Sequence, residues 1–375
     1  MKIGIDAKWY FEGPPSGKMV IQNIVDELLR RKILHKIYLI LDKKFVDKKE
    51  LFVGENIYPI FIWGRNNLLS NVFLMPFIAR KYKLDIVVYQ NFSSFFGKHK
   101  KIAYIHDILF KSHPQFYTMK EKLYFLPLKL LANMSDSIIT VSENEKKRLI
   151  KYGYKKPIQV IYHGVSELFK PKELFSHDYL NKVKIKYKLP EKYLLYVGRL
   201  NVRKNIANLF KAISLLNSSQ KLVIVGKEDW KMFDFNAMLN NLKIRDKIIF
   251  TGSISNEELS AVYSMSSVFI FPSFAEAFGL PPLEAMASGI PIVVSNATCI
   301  PEICGDAGYY VNPNSPEEIA EQIILAINDN ELKKKRIELG LRRAAEFTWE
   351  KTVDKIIKLC ESIITTNENI NRKYN

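Results

Sequence analysis

Short apolar runs alternate with amphipathic stretches along the whole chain. The runs are four to six residues long and rich in Val, Ile, Leu and Tyr. Between them, apolar residues recur at helical spacing. Runs that are apolar on both faces belong to buried strands, and such strands separated by helices pair in parallel through crossovers. The pattern predicts strands at 2–5, 37–41, 86–89, 102–105, 137–141 and 158–162 in the first half. In the second half it predicts strands at 193–197, 221–225, 247–250, 268–271 and 291–294. Helical patterns cover 18–31, 119–133, 143–151, 206–216, 256–265, 280–288 and 316–328. Ser255 with Glu258 has the form of a capping box. The 165–191 segment, with Pro171 and Pro190 and many lysines, breaks the rhythm and reads as a linker. The expected fold is therefore α/β, with two doubly wound, Rossmann-like domains facing a cleft. They span 1–170 and 171–354, with a C-terminal helix at about 355–375 packing back on the first. A length of 375 residues suits two domains at roughly 150 residues each. Ligands of such sheets bind at the carboxyl ends of the strands, so chemistry is expected in the loops that follow them.

Charge divides unevenly. The chain carries +17. Residues 1–170 hold 29 basic and 15 acidic side chains, a balance of +14, and the remainder only +3. The first half is thus suited to an anionic partner, or it reflects lysine used freely on solvated faces. Zinc-finger spacing, RNA-binding aromatic motifs and a basic-region helix are missing from the sequence, which excludes the usual nucleic-acid readers. Cys299, Cys304 and Cys360 make an odd, low count that fits a reducing compartment. The charged N-terminus does not read as a signal peptide, and the most apolar stretch, 68–79, is too short to span a bilayer. These features predict a cytoplasmic protein, with peripheral attachment to the inner face of a membrane left open by the charge.

Four loops carry candidate chemistry. In Phe271-Pro-Ser-Phe-Ala-Glu276-Ala-Phe278-Gly279-Leu280-Pro-Pro-Leu-Glu284, one carboxylate falls in the loop after a strand and one in the first turns of the next helix. Each carboxylate can accept from a pair of sugar hydroxyls. Gly279 permits close backbone approach, and the N–H groups of Phe278 to Leu280 at a helix start suit a phosphate. A glutamate pair alone is most often solvated surface; here its neighbours alter that reading. In Gly198-Arg199-Leu-Asn-Val-Arg203-Lys204-Asn205, Arg199 and Lys204 follow a strand and can converge on a diphosphate. His106-Asp107 follows the 102–105 strand. Gly13-Pro-Pro-Ser-Gly17-Lys18 opens a helix after the first strand, without P-loop spacing.

Together these motifs resemble glycosyltransferase family 4, the retaining nucleotide-sugar transferases of the GT-B fold. The likeness includes Gly4-Ile-Asp6-Ala, Thr140-Val-Ser142-Glu143, Tyr162-His163-Gly164-Val165 and Ile300-Pro301-Glu302. It implies that Arg199 and Lys204 hold the donor diphosphate after Gly198. It implies that Glu284 binds ribose hydroxyls, that Glu276 contacts the transferred hexose, and that Phe278, Gly279 and Leu280 add backbone contacts. His106 would lie near the donor sugar and Gly17 over the diphosphate. Where the family has paired glycines followed by Arg, this chain reads Ser16-Gly17-Lys18-Met19-Val20.

The resulting expectation is a metal-independent, cofactor-independent, retaining hexosyltransferase. The donor is a nucleoside-diphosphate sugar, with GDP-mannose favoured over UDP-glucose and UDP-N-acetylglucosamine. The acceptor is a lipid-linked or other saccharide in cell-surface polysaccharide (O-antigen) synthesis. A GT-B sugar-nucleotide-binding protein without turnover, or a sugar-nucleotide epimerase, are the alternatives. Base selectivity is expected near Gly226-Lys227-Glu228 and Gly252-Ser253-Ile254. The basic first domain would take the acceptor, with basic faces at 80–83, 98–101 and along the 119–133 helix. That helix is expected either to cover the sheet with a solvated basic edge or to face an anionic membrane surface.

Overall fold

The computed structural model describes residues 1–64, 66–217, 220–226 and 235–373, with side chains described through Thr366. Lys227 and Glu228, two of the expected base-selective residues, lie outside the described residues. The chain divides into two compact units, Met1–Gly164 with Thr348–Asn375, and Val165–Phe347. In the first unit the chain leaves at Gly164 and returns at Thr348. A Cβ on Gly164 would fall 2.2 Å from the Trp349 backbone nitrogen, so the two passages need a glycine there.

The first unit holds seven strands: β1 (Lys2–Asp6), β2 (Lys36–Asp42), β3 (Ile57–Ile62), β4 (Ile86–Gln90), β5 (Lys100–Tyr104), β6 (Ser137–Thr140) and β7 (Ile158–Val160). They pair in parallel in the order β3-β2-β1-β4-β5-β6-β7. The second unit holds β8 (Tyr193–Val197), β9 (Lys221–Val225), β10 (Ile248–Gly252), β11 (Val268–Phe271), β12 (Ile292–Ser295) and β13 (Gly308–Val311). Their order is β10-β9-β8-β11-β12-β13, again all parallel. Both sheets are doubly wound, and strand order reverses between β1 and β4 and between β8 and β11. Those are the switch points at which such sheets bind ligands. Every residue of β4, β8, β11 and β12 is buried, as covering helices on both faces require.

Two strands escape the apolar-run pattern. β3 is an edge strand carrying Pro59, tolerated there because one side of an edge needs no ladder donor. β13 is a four-residue strand opened by a glycine. The supposed linker is part of the second unit. It contains a ten-residue helix, His177–Lys186, capped by the Ser176 side chain, which buries Leu180 and Val183. The expected 119–133 helix is two helices, Met119–Tyr124 and Leu128–Asn133. Pro127 cannot donate the hydrogen bond that would continue the first, and it starts the second instead. Thr118 and Glu121 form a reciprocal capping box at the first. The C-terminal helix Trp349–Lys373 packs against helix Pro15–Arg30, with Arg31 paired to Asp354 at 2.8 Å.

Candidate functional site

In the second unit, β8 ends at Val197 and the chain turns through Gly198 at a φ of 151°. The neighbouring strand leaves through Gly226, also at 151°, where a Cβ would lie 2.1 Å from the Gly198 carbonyl oxygen. Side chains are thus barred from this pair of strand ends. Beyond Gly198 the loop tightens into a short 3-10 turn, Val202–Lys204, capped by the Asn201 side chain. The turn sends Lys204 inward, where it is 9% exposed. Its Nζ donates to Glu276 Oε1 at 2.7 Å and lies 4.6 Å from the centre of the Phe271 ring. Arg203 completes the cluster: Nη1 donates to Glu276 Oε2 at 2.9 Å and to the Ala275 carbonyl at 2.5 Å. The Glu276 backbone N–H donates to Thr298 Oγ1 at 3.0 Å.

Lys204 and Glu276, 72 residues apart, therefore meet across the β8/β11 switch point. The cation that joins them is Arg203. The Arg199 side chain is exposed, while its carbonyl accepts from Tyr196 Oη at 3.1 Å. The 3-10 turn is the reason: it points positions 203 and 204 toward the loop after β11 and leaves 199 on the rim. Burial opposes ionisation of Glu276, but Arg203 and Lys204 outweigh it and hold the carboxyl at about 2. Burial lowers Lys204, and Glu276 counteracts that.

Glu284 occupies a different setting. It lies in helix Leu280–Ala287, is buried, and accepts from Tyr263 Oη at 3.0 Å. Desolvation pushes its carboxyl up to about 7, with the Tyr263 hydrogen bond working the other way. The glutamate pair is thus electrostatically split, one carboxyl fixed as an anion and the other poised near neutrality. Gly279 takes a left-handed conformation at the helix start, and a Cβ there would sit 2.8 Å from Ile300 Cδ1. The helix has no side-chain cap, and Pro281 and Pro282 occupy its first turn, which leaves the N-terminal dipole for another partner. Phe278 and Leu280 are buried, and the Phe278 carbonyl accepts from Cys299 Sγ at 3.2 Å.

His106 and Gly17 belong to the first unit. His106 follows β5, stacks on Tyr104 at 4.8 Å, and places Nε2 2.8 Å from Gln90 Oε1. With that oxygen as acceptor the ring donates from Nε2 and keeps Nδ1 as its acceptor. Burial lowers its pKa to about 4, so the ring is neutral at physiological pH. Gly17 lies in helix Pro15–Arg30 under the Trp9 ring, where a Cβ would come within 2.8 Å of Trp9 Cε3. Trp9 also approaches His106, with 5.8 Å between ring centres. One tryptophan thus links the two expected first-unit residues. Among the described residues no cluster of His, Cys, Asp and Glu is arranged to hold a metal ion.

Two family models match the chain in turn: Glycosyltransferase Family 4 over residues 18–167 and Glycosyl transferases group 1 over residues 180–343. The chain belongs to the group 1, family 4 glycosyltransferases. It is 28% identical over 292 residues to the O-antigen chain mannosyltransferase B of Escherichia coli, covering 74% of each protein. It is 32% identical over 213 residues to the O-antigen chain mannosyltransferase RfbU of Salmonella typhimurium, covering 56% of each. The serotype-specific mannosyltransferase WbdA of Escherichia coli matches at 30%, and there the chain spans only 28% of the relative's length. In fold it matches sucrose-phosphate synthase of Thermosynechococcus elongatus with a TM-score of 0.75 at 19% identity, over 98% of this chain and 100% of that one. Anabaena Alr3699/HepE, solved with UDP and glucose, matches at 0.75 and 18% identity, over 96% and 100%. The two doubly wound sheets are those of the GT-B fold.

Three residues of this glycosyltransferase escaped the sequence reading. Arg203 was in view beside Lys204, but nothing in the spacing ranked it above Arg199. Asn205, in the left-handed conformation, donates to the carbonyls of Pro272 and Pro313 at 2.9 and 2.5 Å, tying three loops together. A polar residue directly after Lys204 and before an apolar helix was the available signal. Tyr263 lies inside an amphipathic helix and gave none.

Proposed function

We propose that this glycosyltransferase transfers a hexose, mannose before others, from a nucleoside-diphosphate sugar to a saccharide hydroxyl with retention at the anomeric carbon. The observation that carries the reading is the Lys204–Glu276–Arg203 cluster at the β8/β11 switch point. In this reading Lys204 and Arg199 bind the donor diphosphate beside Gly198, where no side chain obstructs it. Lys204 Nζ has three donors and gives one to Glu276, so it can add a phosphate oxygen without leaving its counter-ion. Glu276 orients the transferred sugar, and Glu284 accepts from the ribose hydroxyls. The N–H groups from Phe278 to Leu280 and the uncapped helix face the growing negative charge. His106 and Gly17 would act toward the donor from the first unit, His106 as a neutral hydrogen-bonding ring.

Both Glu276 oxygens are engaged by cations, which ill suits it as an attacking nucleophile. We therefore assign a single front-face displacement. The bond from the anomeric carbon to the phosphate oxygen breaks, and the bond to the acceptor oxygen forms on the same face. The acceptor's proton passes to the departing phosphate. Lys204 and Arg199 stabilise that leaving group, so the scheme asks for no metal and no cofactor. The mannose preference rests on the O-antigen mannosyltransferases among the relatives; a fold neighbour solved with UDP keeps uridine donors in the test.

We also place the chain at the cytoplasmic face of a membrane, acting in cell-surface polysaccharide synthesis. No helix among the described residues is long and apolar enough to cross a bilayer. The Met119–Tyr124 and Leu128–Asn133 helices and the turn between them nevertheless leave Met119, Leu123, Leu126 and Leu130 outward, each at least 63% exposed. Lys120, Lys122 and Lys129 are interleaved with them. Apolar side chains framed by lysines suit an anionic bilayer surface, each lysine adding about 1 kcal/mol near it.

The test of the transfer reading is nucleoside diphosphate release from GDP-mannose, UDP-glucose and UDP-N-acetylglucosamine, with lipid-linked saccharide acceptors and linkage analysis of the product. Acceptor-dependent release is expected from one donor. An anomeric inversion in the product would overturn the retaining assignment.

A further inference from the structure

The first unit's cavity of about 980 Å³, over the carboxyl ends of β1 to β4, falls to the acceptor in the reading above. A second cavity, of about 320 Å³, lies in the second unit, at the other edge of its sheet. Lys192, Gln220, Ser267 and Pro291 on its wall directly precede β8, β9, β11 and β12. The strands are parallel, so these are their amino ends. The Lys204–Glu276 cluster sits past the carboxyl ends of the same sheet, a full strand length away. Nothing in the transfer scheme uses the second cavity. Its volume is at the lower end of the roughly 300–1,000 Å³ of small-molecule sites.

Three helices end at this cavity: Asn256–Met265, Leu280–Ala287 and Pro316–Asn328. A lysine beside a helix C-terminus commonly completes its last carbonyls. At the first two ends other groups do so. Ser264 Oγ donates to the Ala261 carbonyl at 3.0 Å, and Ser266 Oγ to that of Tyr263 at 2.8 Å. Ser288 Oγ donates to the Glu284 carbonyl at 2.9 Å. Gly289, left-handed at a φ of 69°, gives its N–H to the Met286 carbonyl at 3.1 Å. At the third end Lys333 Nζ donates to the Ile327 carbonyl at 3.1 Å and keeps two further donors. Lys172 and Lys192, both exposed, have no such task. Among the described residues none of these three lysines forms an ion pair, whereas neighbouring Lys184 is paired with Glu191. Lys172 adds only a weaker pull on that carboxylate. Glu173 is the one acidic side chain on the wall.

The wall thus sets three ammonium groups beside buried hydroxyl oxygens. Ser264, Ser266 and Ser288 are each 7% exposed or less, and each commits its proton to a carbonyl. Their oxygens keep lone pairs and can only accept. Such a wall suits a ligand with an anion at one end and donating hydroxyls at the other. Ammonium groups meet a phosphate as point charges. Glu173 accepts from a hydroxyl and repels a second anion. We infer that this cavity binds a monosaccharide phosphate, with its phosphate on Lys172, Lys192 and Lys333 and its hydroxyls toward the serine wall. The ligand is neither donor nor acceptor, so the inference stands apart from the transferase reading.

The experiment is titration calorimetry of the full chain with mannose 6-phosphate, mannose 1-phosphate, glucose 6-phosphate, inorganic phosphate and methyl α-mannoside. Each is titrated without and with saturating GDP and UDP. At least one sugar phosphate is expected to bind with the nucleoside diphosphates present, and more tightly than inorganic phosphate or methyl α-mannoside. Lys172→Glu with Lys192→Glu, at two exposed positions, should weaken that binding about tenfold or more. Lys192→Gln alone should weaken it less, and it keeps the test open should the double variant fail to fold. If no sugar phosphate binds, if the nucleoside diphosphates displace those that do, if inorganic phosphate binds as tightly, or if the lysine variants bind as the parent does, the inference is wrong. Nucleoside diphosphate release from sugar donors separates the two readings. A chain that turns over a donor but binds no sugar phosphate loses this site alone. One that binds a sugar phosphate and turns over no donor keeps the site and loses the transferase reading.

Discussion

The two switch points of this molecule are built from the same topology and opposite chemistry. At β8/β11 a lysine, an arginine and a glutamate close into a buried ionic cluster beside strand ends that only glycine can form. At β1/β4 a lysine is buried too, but Asp6 and Asn71 absorb it, and the space above is bounded by rings and amides. The first arrangement keeps cations available to a phosphate; the second withholds them. One doubly wound scaffold can thus hold a buried lysine whose carboxylate is shared with a second cation at one switch point, and one committed to a carboxylate and an amide at the other.

Lys204→Ala should break the contrast most severely. In the proposed mechanism it removes the cation at the leaving group, and it strands Glu276 with Arg203 alone. Turnover should fall on the order of 10²–10³-fold, the scale of losing a preorganised charge-stabilising group. A steady-state assay with turnover within threefold of the parent would refute the role of Lys204. Glu276→Gln should follow at about 10²-fold on the same scale. Because the Glu276 carboxyl is held at about 2, it stays ionised through the working range, and its loss should shift the rate without moving the acid limb of the pH profile between pH 5 and 8.

Glu284→Gln sharpens the comparison within the second unit, between its two glutamates. The Glu284 carboxyl titrates at about 7 in the folded chain, above the 4.5 of an unburied glutamate, so the folded state favours its protonated form. That contribution is complete below pH 4.5 and is lost as pH rises through 7. The Gln variant should therefore melt higher than the parent at pH 8, by about 2–4 °C for each kcal/mol relieved, and level with it at pH 4.5. Equal melting temperatures at both pH values would show that Glu284 is not strained by burial.

The smallest effect concerns the outward lysines. The chain should sediment with anionic liposomes at low salt and release at high salt, since exposed charges are screened within about 8–10 Å at physiological ionic strength. Leu123→Ser with Leu126→Ser should weaken the association severalfold. Failure to sediment at low salt would remove the membrane surface and leave the proposed transfer chemistry untouched.

The legibility of the two sites differed for a physical reason. Lys204 and Glu276 sit in contiguous loops whose glycines, prolines and charges are local signals, and the strands before them are unbroken apolar runs. The second partner of Glu276 was not local: the 3-10 turn capped by Asn201 turns Arg203 as well as Lys204 toward it. The first-unit cavity was hidden altogether. It draws its residues from the ends of four strands, far apart in sequence, and Trp63 follows β3, the edge strand that Pro59 disguised. The helix pair around Pro127 shows the same limit, since amphipathic spacing runs through the proline while hydrogen bonding cannot.

The most direct test of the account is nucleoside diphosphate release by the purified chain and its Lys204→Ala variant, from GDP-mannose and the uridine donors, with and without a lipid-linked saccharide acceptor. The account predicts release that depends on the acceptor, proceeds with one donor and collapses in the variant. Release from no donor, or release indifferent to Lys204, would contradict it.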